Sequence, residues 1–367
     1  MRLLHLSDLH LGKRVHGFSI EEEQADMLGQ IVRFVQEQAI DAVLIAGDVY
    51  DRAVPSEVAM VLLDRFLNTL ASRSVPVYMI SGNHDSAIRL QYGAALFAHA
   101  GIKIASTLQE TVQTARVGDV ELVMIPFLKP ALVRPLFPDR TIETYADAMD
   151  AVLSTLKLEP GCKHIALVHQ FIAGSKTCDS EQKSIGGLDE IPAETFKDFD
   201  YVALGHLHSF QKPAANMAYC GTLLKYSADE IRQRKRFVVL DVGETIQMET
   251  HDFHPLRDLV EIKGTYMELT DRSFYETLDL SNYYSIVLLD DHDIVNAHAK
   301  LQTIYPKILK LTYVNRPAPT GDFAPAAVEK LDPLTVIDAF YQSQNGRPVS
   351  EAQKRWIVGH WEESVCD

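Results

Sequence analysis

A chain of 367 residues is too long for one ordinary domain and suits a large domain with one or two smaller modules. Hydrophobic residues make up 47% and charged residues 23%, a globular balance that excludes a disordered or fibrous chain. The formal net charge of −15 argues against a free-standing nucleic-acid binder, which carries a basic excess to displace counterions, unless bound cations or a basic partner make up the difference.

The N-terminus enters a strand-like run at once, with no basic-then-apolar leader, and no apolar stretch approaches the roughly 20 residues needed to cross a bilayer. The four cysteines, Cys162, Cys178, Cys220 and Cys366, show no CxxC spacing, which excludes a zinc-finger set or a disulfide framework and points to a reducing cytoplasm. Apolar, β-branched runs predict strands at 3–6, 42–46, 75–80, 122–125, 165–168 and 201–204. Amphipathic stretches predict helices near 21–38, 56–71 and 142–156, the first with Glu21, Glu22 and Glu23 in its opening turn, where negative charge suits the helix dipole. This rhythm predicts an α/β fold with helices packed outside the sheet.

From 236 to 252 the pattern is strands only, at 237–241 and 246–251, turning at Val242 and Gly243. A break near His254 and Pro255 closes a first domain of residues 1–254. Residues 255–316 read as a small α+β module, with strands at 259–262, 284–289 and 307–313 and helices near 273–278 and 296–304. A Pro/Ala-rich linker follows at 317–332, and residues 333–367 hold two helices, 334–342 and 350–363. Leu334, Ile337, Phe340 and Tyr341 share one face of the first, and Trp356, Ile357 and Trp361 one face of the second. Apolar faces beyond a linker are expected to dock onto another chain.

The chemistry is carried by where the polar residues sit. Five apolar runs each end in residues able to bind metal: LLHLSDLH in Asp8 and His10, VLIAGD in Asp48, VYMISGNHD in Asn83, His84 and Asp85, IALVHQ in His169, and YVALGHLH in His206 and His208. In open α/β sheets, ligand sites form beyond the carboxyl ends of the strands. Asp8/His10 and His206/His208 are each two apart, which puts both members on one side of an extended chain. Carboxylate, amide oxygen and imidazole together suit Mn²⁺, Fe or Zn²⁺ better than Ca²⁺ or Mg²⁺. Seven ligands exceed the needs of one catalytic ion and suit two, which roughly 3.5–4 Å apart can clamp a phosphoryl group and activate water. No Ser/His/Asp or Cys/His arrangement competes.

The series DxH, GD, GNHD, H and GHxH, on Asp8 to His10, Gly47 and Asp48, Gly82 to Asp85, His169, and Gly205 to His208, resembles the calcineurin-like metallophosphoesterase superfamily. The opening MRLLHLSDLHLGK, AGDVYDRAVPS and ISGNHDS resemble more closely the nuclease subunits of bacterial SbcCD complexes. The resemblance implies a four-layer α/β/β/α sandwich with a small α+β capping domain and C-terminal helices. It implies that Asp8, His10 and His208 hold one ion and Asn83, His169 and His206 a second, with Asp48 bridging them. His84 would then contact the scissile phosphate and help the leaving oxygen depart, with Asp85 orienting its ring. Mn²⁺ is the ion implied, and ATP-dependent 3′→5′ exonuclease action on double-stranded ends and opening of DNA hairpins the reactions. The implied partner is an SbcC-type coiled-coil ATPase gripped by the C-terminal helices, in a heterotetramer built on a homodimer.

Two other readings stay open from the residues alone: a phosphoesterase acting on a small substrate, and a metal-bound scaffold without catalysis. The resemblance makes Asp51 and Arg52 candidate neighbours of the substrate, with a purely structural role left open. The run RQRKR at 232–236 reads either as a phosphate or partner contact or as a solvated turn. His5 is expected inside packing, and His16, His99, His164, His251, His254, His292, His298 and His360 as surface or capping groups.

Overall fold

Most strands of the first domain's two sheets follow from an apolar run, and the sheets stack face to face. The computed structural model describes residues 1–108, 111–178, 180–181, 190–314, 333–345 and 348–364. The first sheet runs in the order Ile246–Asp252, Arg236–Val242, Arg2–Leu6, Ala42–Ala46, Val77–Ile80, Ile102–Ala105. The last four of these strands are parallel, and Arg236–Val242 is antiparallel to both its neighbours. The second sheet runs Met217–Tyr219, Tyr201–Gly205, Lys163–His169, Val120–Ile125, Gln113–Val117, parallel throughout except for the last pair.

Alternation along the strands makes the layers. Leu3, Ala42, Leu44, Tyr78 and Ile80 point toward Leu122, Met124, Ile165, Leu167 and Ala203 of the other sheet, forming the central core. Their neighbours Leu4, Leu6, Val43, Ile45, Val77 and Met79 point outward to the helices Glu21–Glu37 and Glu57–Ala71. On the far side Val123, Ala166, Val168, Val202 and Leu204 pack under the helix Tyr145–Leu153. The result is the four-layer α/β/β/α sandwich, whose inner strands are buried on both faces.

Boundaries move where local chemistry moves them. The strand expected from residue 75 starts at Val77, because Pro76 has no N–H and contributes only its carbonyl, to the Val43 amide at 2.9 Å. The helix expected from residue 142 starts at Tyr145, where Thr144 and Asp147 form a reciprocal capping box.

After Phe253 the chain enters a separate three-stranded parallel sheet, Leu259–Gly264, Tyr283–Leu288 and Ile308–Tyr313, whose connections carry short helices. The helix expected near 273–278 lies upstream, as Tyr266–Thr270 and Arg272–Tyr275, because Thr265 and Asp271 supply the caps. Ile262, Leu269, Tyr284, Ile286, Leu288 and Leu301 give this module its own core. It is tied to the sandwich by Glu23, which accepts from Tyr283 at 3.0 Å and pairs with Arg257 at 3.0 Å, and by Lys225 on Asp258 at 2.8 Å. The linker 317–332 lies outside the described residues, as does the side chain of Trp361. The last helices are Pro333–Asn345 and Glu351–Ser364, on which Phe340 and Trp356 are exposed. No helix among the described residues is long and apolar enough to cross a membrane.

His5 lies in the central core, as expected, and bridges the two sheets. Its Nε2 donates to the Leu204 carbonyl at 3.2 Å and its Nδ1 accepts from Tyr201 at 3.3 Å, which fits a neutral ring. Burial lowers its pKa to about 3, against a weaker opposing pull from the Leu204 bond. The unfolded chain therefore binds a proton near pH 6.5 that the native state refuses until about pH 3. The stability this contributes is complete above pH 6.5 and is lost as pH falls, at roughly 1.4 kcal/mol per unit. His5→Gln is expected to flatten the acid limb of a urea-derived stability curve between pH 4 and 6; an unchanged slope would assign acid sensitivity elsewhere.

Candidate metal centre

The parallel strands of both sheets end at the same edge of the sandwich, and their last residues meet there. Asp8 and His10 follow Arg2–Leu6, Asp48 follows Ala42–Ala46, and Asn83 follows Val77–Ile80. From the second sheet come His169, which ends its strand, and His206 and His208, which follow Tyr201–Gly205. Asp8, His10, Asp48, His169 and His208 are all buried. Four of the seven sit in the left-handed region: Asp8 at φ 51°, His10 at 43°, Asp48 at 48° and His206 at 109°. Such backbone costs of order 1–3 kcal/mol per residue and clusters where function requires it. Interlocking amides hold it, Asp8 on the Gly47 carbonyl and His10 on that of Asp48, both at 3.0 Å.

Two glycines let the elements close this tightly. A Cβ on Gly82 would collide with the Asp48 carboxylate and amide. One on Gly205 would strike the Ala46 carbonyl and the His169 ring, forcing the two sheets apart at the site.

The first proposed ligand set is gathered: donor atoms of Asp8, His10 and His208 all lie within 4.8 Å of one another. His208 Nδ1 meets Ser180 Oγ at 2.5 Å, and that hydroxyl donates on to buried Glu230, which leaves Nε2 of His208 bare toward Nε2 of His10 at 3.2 Å. In the second set His169 donates Nδ1–H to the Ala46 carbonyl at 2.7 Å, turning Nε2 toward Asn83 Oδ1 at 3.1 Å and Asp48 Oδ2 at 3.4 Å. His206 Nδ1 reaches the same Asn83 oxygen at 2.9 Å. Asp48 stands between the sets, with Oδ2 also 3.6 Å from His10 Nε2. Acceptor atoms thus crowd together in a buried space, which only protons or cations can reconcile. The donor set fits divalent ions.

The charges show the same strain. Burial, with Asp48 adding to it and His169 opposing it, raises Asp8 to about 6. Burial works against ionised Asp48 too, but His169 and His10 outweigh it and hold that carboxyl well below the usual range. Burial would deprotonate His169, yet Asp48 outweighs it and raises the ring to about 9, while burial with His169 nearby lowers His206 to about 3.

His84 is brought to this site and held by backbone. Its amide donates to Asp48 Oδ1 at 2.8 Å, and its Nδ1–H to the Asp51 carbonyl at 2.9 Å, leaving Nε2 available. Its ring stands edge-on to His10, with centroids 4.8 Å apart. The expectation that Asp85 orients this ring is corrected. Asp85 instead accepts the amides of Val49, Tyr50 and Gly82 at 3.1, 2.9 and 2.9 Å, clamping the Asp48 loop to the Asn83 loop. A carboxylate placed under three N–H groups has no oxygen turned to the imidazole.

Compared with known proteins, residues 1–210 match the family model for calcineurin-like phosphoesterases, and residues 255–345 that for the type 5 capsule protein repressor C-terminal domain. The chain is 32% identical over 361 residues to the SbcD subunit of the SbcCD nuclease of Staphylococcus epidermidis, covering 96% of each. It belongs to the calcineurin-like phosphoesterase family, among the SbcD nuclease subunits. The corresponding protein of Staphylococcus saprophyticus is 31% identical over 369 residues, covering 97% of this chain and 96% of that one. The solved structure of TT1561 from Thermus thermophilus is similar at 14% identity and a TM-score of 0.41, over 68% of this chain and 98% of that one. Family membership implies divalent-metal binding, and the strand-end cluster supplies candidate ligand groups for it.

Several supporting residues carry no motif. Phe127 stacks on His206 at 6.2 Å between centroids. Gln24, from the helix Glu21–Glu37, donates to the His10 carbonyl at 2.7 Å and accepts from Gly12 at 3.0 Å, fixing the DxH loop from behind. The run at 232–236 divides: Lys235 is buried, pairing with Glu230 and donating to the His208 carbonyl at 2.8 Å, while Arg236 pairs with Asp252 at 2.8 Å. Its buried lysine is therefore a brace for the His208 loop. Asp51 pairs with Lys13 at 2.8 Å and Arg52 is exposed.

Proposed function

We propose that this chain is the nuclease subunit of an SbcCD-like complex and hydrolyses DNA phosphodiesters with two divalent ions, Mn²⁺ foremost. The observation that carries this reading is the convergence of six metal-capable side chains around Asp48 with His84 anchored beside them. Full-length likeness to SbcD nuclease subunits supports the substrate. Asp8, His10 and His208 would hold one ion, Asn83, His169 and His206 the other, and Asp48 both. When bound, the ions supply Lewis acidity and an activated water. The chain's own groups do the rest. Ala46, Ser180 and Glu230 fix the tautomers of His169 and His208, Gly82 and Gly205 admit the close approach, and His84, its Nδ1–H held by the Asp51 carbonyl, would present Nε2 to the departing oxygen of the scissile bond.

The assignment extends to partners. The helices Pro333–Asn345 and Glu351–Ser364 would grip the root of an SbcC-type coiled-coil ATPase, which with the ions answers the −15 charge. Homodimerisation would use Val58, Val61, Ile88 and Tyr92, apolar side chains that stand exposed on neighbouring segments joined by the Arg89 bond to the Ala53 carbonyl. Cys162, Cys178 and Cys220 are free, which accords with a reducing cytoplasm. Removing residues 333–367 is expected to abolish co-purification with the ATPase while Mn²⁺ binding stays; co-purification unchanged would move the partner surface elsewhere.

The deciding experiment is cleavage of end-labelled linear and hairpin duplexes in Mn²⁺, with and without the ATPase. Shortening from 3′ ends and hairpin opening are expected. Hydrolysis of a small phosphoester with no action on DNA would replace this reading with a small-substrate phosphoesterase.

A further inference from the structure

We propose that Glu121, Cys162 and His164 form a second metal site, for zinc, at the opposite end of the second sheet from the centre described above. His164 and His169 lie five residues apart on one strand, roughly 16 Å, so the two sites share no ligand. Register makes the cluster: Glu121 is the direct cross-strand partner of His164, and Cys162 lies two residues before His164. All three side chains therefore reach the same patch of the outer face.

The distances suit a tetrahedral ion. Zn–S bonds of about 2.3 Å and Zn–N or Zn–O bonds of about 2.0–2.1 Å place neighbouring donors roughly 3.3–3.6 Å apart. His164 Nε2 lies 3.7 Å from Cys162 Sγ and 3.4 Å from Glu121 Oε2. The Glu159 carbonyl oxygen, 3.0 Å from both Sγ and Nε2, accepts hydrogen bonds from them; on zinc binding the thiol proton would leave to solvent and the imidazole would carry its N–H on Nδ1, 4.0 Å from the Asp200 carboxylate. The fourth position is left to water. Glu121 is itself held by the Glu159 amide at 2.9 Å, and the Asp200 carboxylate takes the His164 amide at 2.9 Å, so the donors are positioned beforehand. Thiolate with imidazole selects Zn²⁺ over Mn²⁺ or Mg²⁺, which sets this site apart chemically from one built of carboxylate, amide and imidazole. The His164 and Glu121 side chains are 15% and 12% exposed, so an ion enters without the fold opening. Bound there, it would staple the strands Val120–Ile125 and Lys163–His169 to the turn before them.

The test uses the full chain titrated with Co²⁺, read at the near-ultraviolet thiolate-to-cobalt charge-transfer band. That band reports sulfur ligation and is blind to ions held by Asp8, Asp48 or the site histidines. Wild type and Cys178→Ser, which removes the sulfur nearest His208, are expected to show the band, and Zn²⁺ to erase it. Cys162→Ser should lose it, and Glu121→Gln should weaken Co²⁺ binding at least about tenfold. No band in wild type, a band persisting in Cys162→Ser, or unchanged affinity in Glu121→Gln would overturn the proposal.

Discussion

His84→Ala is expected to lower Mn²⁺-dependent DNA cleavage by about 10²–10⁴-fold while the content of bound metal stays at the wild-type level. The separation follows from geometry. The ring is fixed by a backbone carbonyl, that of Asp51, and although a ring nitrogen lies within 4.8 Å of donor atoms of His10 and Asp48, both proposed ligand sets are filled without it. The His84 amide, which touches Asp48, survives the substitution. Metal analysis by plasma mass spectrometry beside single-turnover cleavage gives both readouts. Metal lost together with activity would make His84 a ligand or a prop of the Asp48 loop instead of a proton donor. Asp85→Asn gives the complementary result: it sets an amide against three N–H donors, so both metal content and activity are expected to drop.

Much of this was legible because chemistry sits at the ends of strands that the sequence announces. Runs such as AVLIA and YVALG are buried on both faces and read as unbroken apolar stretches, so the polar residue that ends each run stands out. The strands Ile102–Ala105, Gln113–Val117 and Met217–Tyr219 were not legible. They lie at sheet edges and run for only three to five residues, too short to rise above the loops around them. Within the site, what escaped is what backbone or distance supplies. A carbonyl such as Asp51's has no letter of its own, and Gln24 and Glu230 reach the metal loops from elements far away in sequence. The run RQRKR reads equally as a phosphate or partner contact or as a solvated turn, yet Lys235 is drawn inside because Glu230 is already buried beside it. Asp85 shows the reverse error: the family resemblance implied a histidine's partner, but the carboxylate's three bonds all go to amides.

Asp48→Asn is expected to abolish nuclease activity and to reduce binding at both ions, the largest effect of any single exchange of nearly equal size. Asp48 is the carboxylate that lies near His10, His169 and the His84 amide at once, so removing its charge touches both ligand sets. A ligand at 100 times its Kd stabilises the native state by about 2.7 kcal/mol per site, so saturating Mn²⁺ should raise the wild-type melting temperature by several degrees. The variant's melting temperature should scarcely respond. Proton traffic gives an independent check. With His169 raised to about 9 by Asp48, metal binding near neutral pH must displace its proton, so wild-type affinity should climb as pH rises toward 9. Calorimetry in two buffers of different ionisation enthalpy counts that proton. Asp48→Asn removes the charge that keeps it on the ring, and whatever residual binding remains should release less. Undiminished Mn²⁺ stabilisation with undiminished proton release would show that Asp48 is not the shared ligand, and Asp8, close to both Asp48 and His169, would then take that place.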